Sequence, residues 1–169
     1  MQFNFEELLD SQKGKFYLLS GRERDLDILQ ERLSEKNKTI VSKILRGNRC
    51  LTKESLFQEF AAALQFPYYF GNNWDAFDEC ISDLGGQSET KYVLFITNFD
   101  KILKDYSKDL KFFLNLLKDA IKQEAKDRKG FFHIIFHCEP ENEKACKSIL
   151  EAENISPVLE KLEPFDNIK

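Results

Sequence analysis

Four carboxylates crowd the segment WDAFDECISD: Asp75, Asp78, Glu79 and Asp83. Read as a helix, the segment places Asp75, Glu79 and Ser82 at i, i+4 and i+7, on one line along its surface. Paired carboxylates can serve as a general acid and base, or they can meet the cationic groups of a partner. The first use needs a nucleophile or a basic substrate-binding group beside the pair, and the sequence supplies neither. The second fits the surrounding charge. Residues 54–90 contain no Lys, Arg or His and carry a local charge of −7, in a chain whose total is −4; the remainder is therefore +3. Asp75 is explained by its place in a first helical turn, where an acid complements the helix dipole. Asp83, near the other end, opposes the dipole. A merely solvated acidic face is the plain alternative to a binding face.

The loop before this helix is Tyr68-Tyr69-Phe70-Gly71. Three consecutive aromatics beside acids are costly unless they pack or bind, and Tyr is a favoured interface anchor because it offers large, stiff, amphipathic area. Gly71 permits a bend or the close approach of a partner. Asn73 is placed to cap the helix. Other chemistries fare worse. His133 and His137, the two histidines, stand about 13 Å apart on a strand, too far to share a metal. Cys80 reads as a small apolar helix residue and not as a nucleophile. There is no glycine-rich phosphate loop and no GxSxG. No metal and no cofactor is expected.

These residues must be positioned by a single domain of 169 residues. Hydrophobic residues at 42% and 16 phenylalanines are enough for a core, which excludes a disordered chain. The acidic balance, with a pI near 5.4, argues against a general nucleic-acid binder. No apolar run is long enough to span a bilayer, and MQFNFEELLD lacks a signal peptide's basic and apolar regions, so no membrane association and a cytoplasmic location are expected. Cys50, Cys80, Cys138 and Cys146 are read as free thiols.

Strands are expected at Phe16–Ser20, Thr39–Leu45, Tyr92–Thr97 and Phe131–Cys138, each a short apolar or β-branched run. Helices are expected between them. The first carries Leu26, Leu29 and Leu33. The second follows Thr52 and ends before Pro67, and the third is Asn73–Leu84, closed by Gly85-Gly86. Two more are read at Asp109–Ala125 and Asn142–Ala152, with a polar tail from Asn154. Alternation of this kind predicts an α/β fold: a small parallel sheet of three to four strands with packed helices. On the acidic helix, Trp74, Phe77, Ile81 and Leu84 form the apolar stripe that faces the core.

The run from Phe66 to Leu84, FPYYFGNNWDAFDECISDL, resembles the signature of the barstar family, ungapped over its length. The resemblance covers residues 39–138, with residues 1–38 as an N-terminal strand and helix and residues 139–169 as a C-terminal helix and tail. It implies a small parallel sheet with packed helices and no catalysis. It also implies intracellular inhibition of a basic nuclease, either a barnase-like ribonuclease or a toxin domain for which the chain is the immunity protein. A barstar-fold interaction module without nuclease inhibition is the alternative. By the same resemblance Tyr69, Phe70, Gly71, Asn73, Asp75, Asp78, Glu79 and Ser82 contact the partner, with Asp119 in the long helix as a further acidic contact. The carboxylates would stand in for RNA phosphates, so the chain imitates nucleic acid and does not bind it. It departs from the family prototype in three places: Glu79 for a shorter Asp, Asp78 for Trp, and Ser82 for Thr. The prototype's second cysteine has Lys129-Gly130 in its place.

Overall fold

The structure, a computed structural model, describes residues 8–9, 15–84, 91–127 and 132–165. Within them ten elements alternate: β1 (Phe16–Ser20), α1 (Arg24–Lys36), β2 (Ile40–Arg46), α2 (Lys53–Leu64), α3 (Trp74–Asp83), β3 (Lys91–Thr97), α4 (Ser107–Asp127), β4 (Phe132–Cys138), α5 (Glu143–Ala152) and β5 (Val158–Lys161). The expected order of strands and helices holds from β1 to α5. Gly85-Gly86, Phe131 and Lys129-Gly130 lie outside the described residues.

The sheet runs β2-β3-β4-β1-β5, parallel throughout. It has five strands where three to four were expected. The additional one, β5, lies in the polar tail and pairs with β1 through Tyr17↔Val158 to Ser20↔Lys161. Its side chains alternate half-buried and exposed over only four residues, so it carries no apolar run to mark it. Pairing makes this strand. Leu162 N–H then donates to the Ser20 carbonyl at 2.8 Å, and a Cβ on Gly21 would lie 2.6 Å from that of Leu162, so only glycine fits there.

β4 is buried at every position, as expected of a central strand covered on both faces. On one face Leu94, Ile96, Ile134 and Phe136 meet Phe57 and Phe60 of α2, Phe77 of α3, Phe113 and Leu117 of α4 and Leu150 of α5. On the other, Val93, Phe95 and Ile135 meet Leu26, Leu29 and Leu33 of α1. The edge strand β2 is capped by side chains. Gln30 Nε2 donates to the Ser42 carbonyl, and the Glu59 carboxylate accepts from Arg46 N–H while holding the Arg46 guanidinium at 2.8 and 3.0 Å. Such caps consume groups that would otherwise recruit another strand.

Both histidines are core residues. His133 Nδ1 accepts from Lys15 N–H and its Nε2 donates to the Leu8 carbonyl, each at 3.0 Å. His137 Nδ1 accepts from Asn98 N–H, and Nε2 donates to the Gly21 carbonyl at 2.8 Å, tying the ends of β1 and β3 to β4. One nitrogen donates and the other accepts, which requires the neutral ring. Burial pushes His133 down to about 4 and lowers His137 as well.

The unfolded chain therefore binds protons below about pH 6.5 that the native rings refuse, so stability falls as pH drops from 6.5 toward 4. Between pH 6.5 and 5, His133 alone should remove up to about 2 kcal/mol, at about 1.4 kcal/mol per unit. Urea unfolding at pH 7.5 and pH 5 tests this. A midpoint unchanged between the two would show that the rings are not held neutral.

Candidate functional site

α3 starts where its sequence dictates. Asn73 Oδ1 accepts from Ala76 N–H at 2.9 Å, closing the first turn, and Asn73 Nδ2 donates back to the Gly71 carbonyl at 3.2 Å. A Cβ on Gly71 would lie 2.9 Å from that Nδ2, so glycine leaves room for the cap. Asn72 between them takes a left-handed φ of 49°, which Asn tolerates better than most residues.

Phe77 and Ile81 are buried, and Trp74 and Leu84 are partly buried against the same core. Trp74 stacks edge-on to Phe57 with centroids 4.9 Å apart, and its Nε1–H donates to Asp109 Oδ1 at 3.4 Å. With that face committed inward, helical geometry turns the acids out. Asp75 and Glu79 are exposed, while Asp78 and Ser82 are half-buried. α3 packs on α4 where Trp74 meets Phe112, and Asp119, exposed on α4, lies within electrostatic reach of Asp78. Burial, then the charges of Asp119 and Asp75, hold the Asp78 carboxyl above its ordinary range. The two helices thus bring Asp119 to the acids of α3, although 36 residues of chain separate Asp119 from Ser82.

The loop aromatics divide. Phe70 is half-buried, with its ring against Phe57 at 5.8 Å and Phe66 at 5.1 Å, so it anchors the loop. Tyr68 is fully exposed and Tyr69 is 74% exposed, and their rings meet edge to face at 5.5 Å. Cys80 is half-buried, and burial together with Glu79 and Asp83 raises its thiol. A raised thiol is a poor nucleophile. Among the described residues no group of three His, Cys, Asp or Glu is arranged to hold a metal ion, and no helix is long and apolar enough to cross a membrane.

Sequence reasoning passed over two members of this surface, Asp109 and Phe112. Phe112 is 48% exposed and its ring lies 5.3 Å from that of Trp74. The signal was present: positions 109, 112, 116 and 119 share one side of α4 at helical spacing, and the core stripe takes Phe113 instead.

With this geometry in hand, the comparisons divide the chain. A family model described as barstar, the barnase inhibitor, matches residues 41–136, more than half the chain. No curated protein matches. Among solved structures, Drosophila ORC bound to DNA aligns over 94% of this chain at 12% identity with a TM-score of 0.61. The Cdc6p of Pyrobaculum aerophilum aligns over 95% at 15% identity and 0.56, and the Aeropyrum pernix ORC2 protein over 93% at 12% identity and 0.61. The chain spans only 29%, 42% and 44% of those chains. At such identity the likeness is one of fold.

Two outcomes follow from the site's construction. Asn73→Ala removes the cap and should cost about 1 kcal/mol in denaturant unfolding. Asp119→Asn should bring the Asp78 titration, followed by carboxyl NMR shifts, down toward the ordinary range without restoring it fully, because burial and Asp75 remain. An unchanged Asp78 titration would show that Asp119 does not face it.

Proposed function

The chain belongs to the barstar family, and from that membership we propose that it inhibits a basic nuclease by laying α3 and the loop before it over the enzyme's phosphate-binding cleft. The observation that carries this is the outward acidic face of α3, where Asp75 and Glu79 stand exposed beside the exposed Tyr69 while Phe77 and Ile81 are buried. Next to them, burial first and then the charges of Asp119 and Asp75 hold the Asp78 carboxyl above its ordinary range. A partner that brings Arg, Lys or protonated His among these acids relieves that repulsion and forms charge-assisted hydrogen bonds. Asp75 and Glu79 take the places of RNA phosphates, Tyr69 packs on the partner's rim, and Gly71 allows backbone approach. Phe70, Asn73 and Ser82 complete the footprint, Phe70 and Asn73 by holding the loop and cap in place. The reaction is one of occupancy: no bond is made or broken, and the enzyme is denied its substrate.

A ribonuclease of the barnase kind is the first partner to test. Asp78 and Glu79, which differ from the prototype in charge and length, make a nuclease toxin other than a barnase-like ribonuclease the second partner to test. In either case the site of action is the cytoplasm of the producing cell. Residues 1–38 and 139–169 serve in this reading as flanking additions to the inhibitory domain of residues 39–138.

Purified protein titrated into a barnase-like ribonuclease should abolish RNA cleavage, and no inhibition at micromolar excess overturns the reading for that enzyme. Asp75→Ala combined with Glu79→Ala should leave the circular dichroism spectrum unchanged, weaken binding by roughly tenfold or more and flatten its dependence on salt. Equal binding by the double variant would refute the acidic-face mechanism. Affinity should also rise with pH through the carboxylate range, because Asp78 must lose its proton to pair with a cation.

A further inference from the structure

On α3, Trp74 and Asp78 stand at i, i+4. Beside them on α4, Phe112 and Asp119 stand at i, i+7, on one line of the helix. Each helix thus presents an aromatic ring followed by a carboxylate, about 6 Å further along α3 and about 10 Å further along α4 at 1.5 Å per residue. Trp74 meets Phe112 with ring centroids 5.3 Å apart, and the charge of Asp119 reaches Asp78. The indole is fixed by its bond to Asp109. Phe112 leaves about half its surface in water, although the adjoining Phe113 is fully buried. We infer that Trp74 and Phe112 form an apolar seat continuous with the acidic face, and that it receives an apolar side chain which a basic protein partner presents beside its cations.

Charge selects this occupant. Asp75 and Asp78 flank Trp74 on α3 and Asp109 bonds its indole, so a second copy docking by the same face would set acid against acid. On the other side of Phe112 runs a row of lysines, Lys108, Lys111, Lys118 and Lys122, at helical spacing. Lys118 there caps α5 through the Glu153 carbonyl at 2.7 Å. A cationic partner is admitted from the α3 side and repelled beyond Phe112, so this ring marks the edge of the footprint. The inference rests on the inhibitory reading for the kind of partner, but its test needs no nuclease.

The probes are a short arginine-rich peptide carrying one leucine and the same peptide with glycine in its place, each titrated by calorimetry into the full chain. The leucine peptide should bind about tenfold tighter. It should also shift the fluorescence of Trp74, the chain's single tryptophan. In Phe112→Ser the leucine advantage should vanish while the salt dependence persists; in Asp78→Asn with Asp119→Asn the salt dependence should fall while the advantage persists. Equal affinity for the two peptides, or no binding of either, overturns the seat. A leucine advantage that survives Phe112→Ser also overturns it. Sedimentation showing a dimer that Phe112→Ser dissolves would assign the face to a second copy and overturn the basic partner. A leucine advantage without ribonuclease inhibition would leave the seat standing and remove the inhibitory reading for that enzyme.

Discussion

Phe77 lies within ring-contact distance of Phe57, Phe60, Phe66, Trp74 and Phe113, with centroids 5.2 to 6.1 Å away. That one side chain joins α2, the loop after it, α3 and α4 into one layer over the sheet. Its burial also fixes the rotation of α3 about its own axis. A ten-residue helix turns through less than three turns, so committing Phe77 and Ile81 inward leaves Asp75 and Glu79 no direction but outward. The acidic surface is thus a consequence of aromatic packing, and its electrostatics inherit the rigidity of the core beneath it.

The layer also sets like charges near one another. Packing α3 on α4 through Trp74, Phe77, Phe112 and Phe113 carries Asp78 toward Asp119. A sequence shaped only for stability would place a lysine opposite Asp78, as Arg46 stands opposite Glu59 on the edge of β2. There the guanidinium outweighs the cost of burying the carboxylate and holds Glu59 below its ordinary range. Asp78 has the opposite shift. Among the described residues, one fold therefore shows a carboxylate lowered by an internal guanidinium and another raised by burial and by neighbouring carboxylates.

Legibility in the sequence followed periodicity. The four strands were readable as short apolar or β-branched runs and the helices between them by their 3.6-residue period, and Thr52 was readable as the N-cap of α2, which the structure extends to a capping box with Ser55. β5 was not readable, since Val158–Lys161 gains its order from the Tyr17–Ser20 backbone and not from its own composition. At the site, the one-line placement of Asp75, Glu79 and Ser82 was visible from spacing alone. The meeting of Asp78 with Asp119 needed the family resemblance, because no local rule tells which helix packs against which. The choice between Phe112 and Phe113 was settled only by α4's position against α3: of two adjacent rings, one faces the sheet and the other meets Trp74 at the rim.

The two kinds of likeness differ in extent. The barstar match spans residues 41–136, from β2 through most of β4, whereas the fold shared with the ORC and Cdc6 structures takes in more than nine-tenths of the chain. In open parallel sheets, ligands commonly bind in the crevice outside the carboxyl ends of the strands. Here the carboxyl end of β1 is stitched shut. His137 takes up the Gly21 carbonyl, Gly21 is pressed against Leu162, and only three residues separate β1 from α1, too few for a glycine-rich phosphate loop. The same contacts need a neutral His137, so they also spend a titratable group on structure. Only the end of β1 is consumed in this way: a cavity of about 380 Å³ stays open between the start of α1 and the ends of β2 and β3, lined by Glu23, Arg24, Asp27, Arg46 and Thr97, while the clustered carboxylates of α3 and the exposed rings lie apart from it on the helical layer.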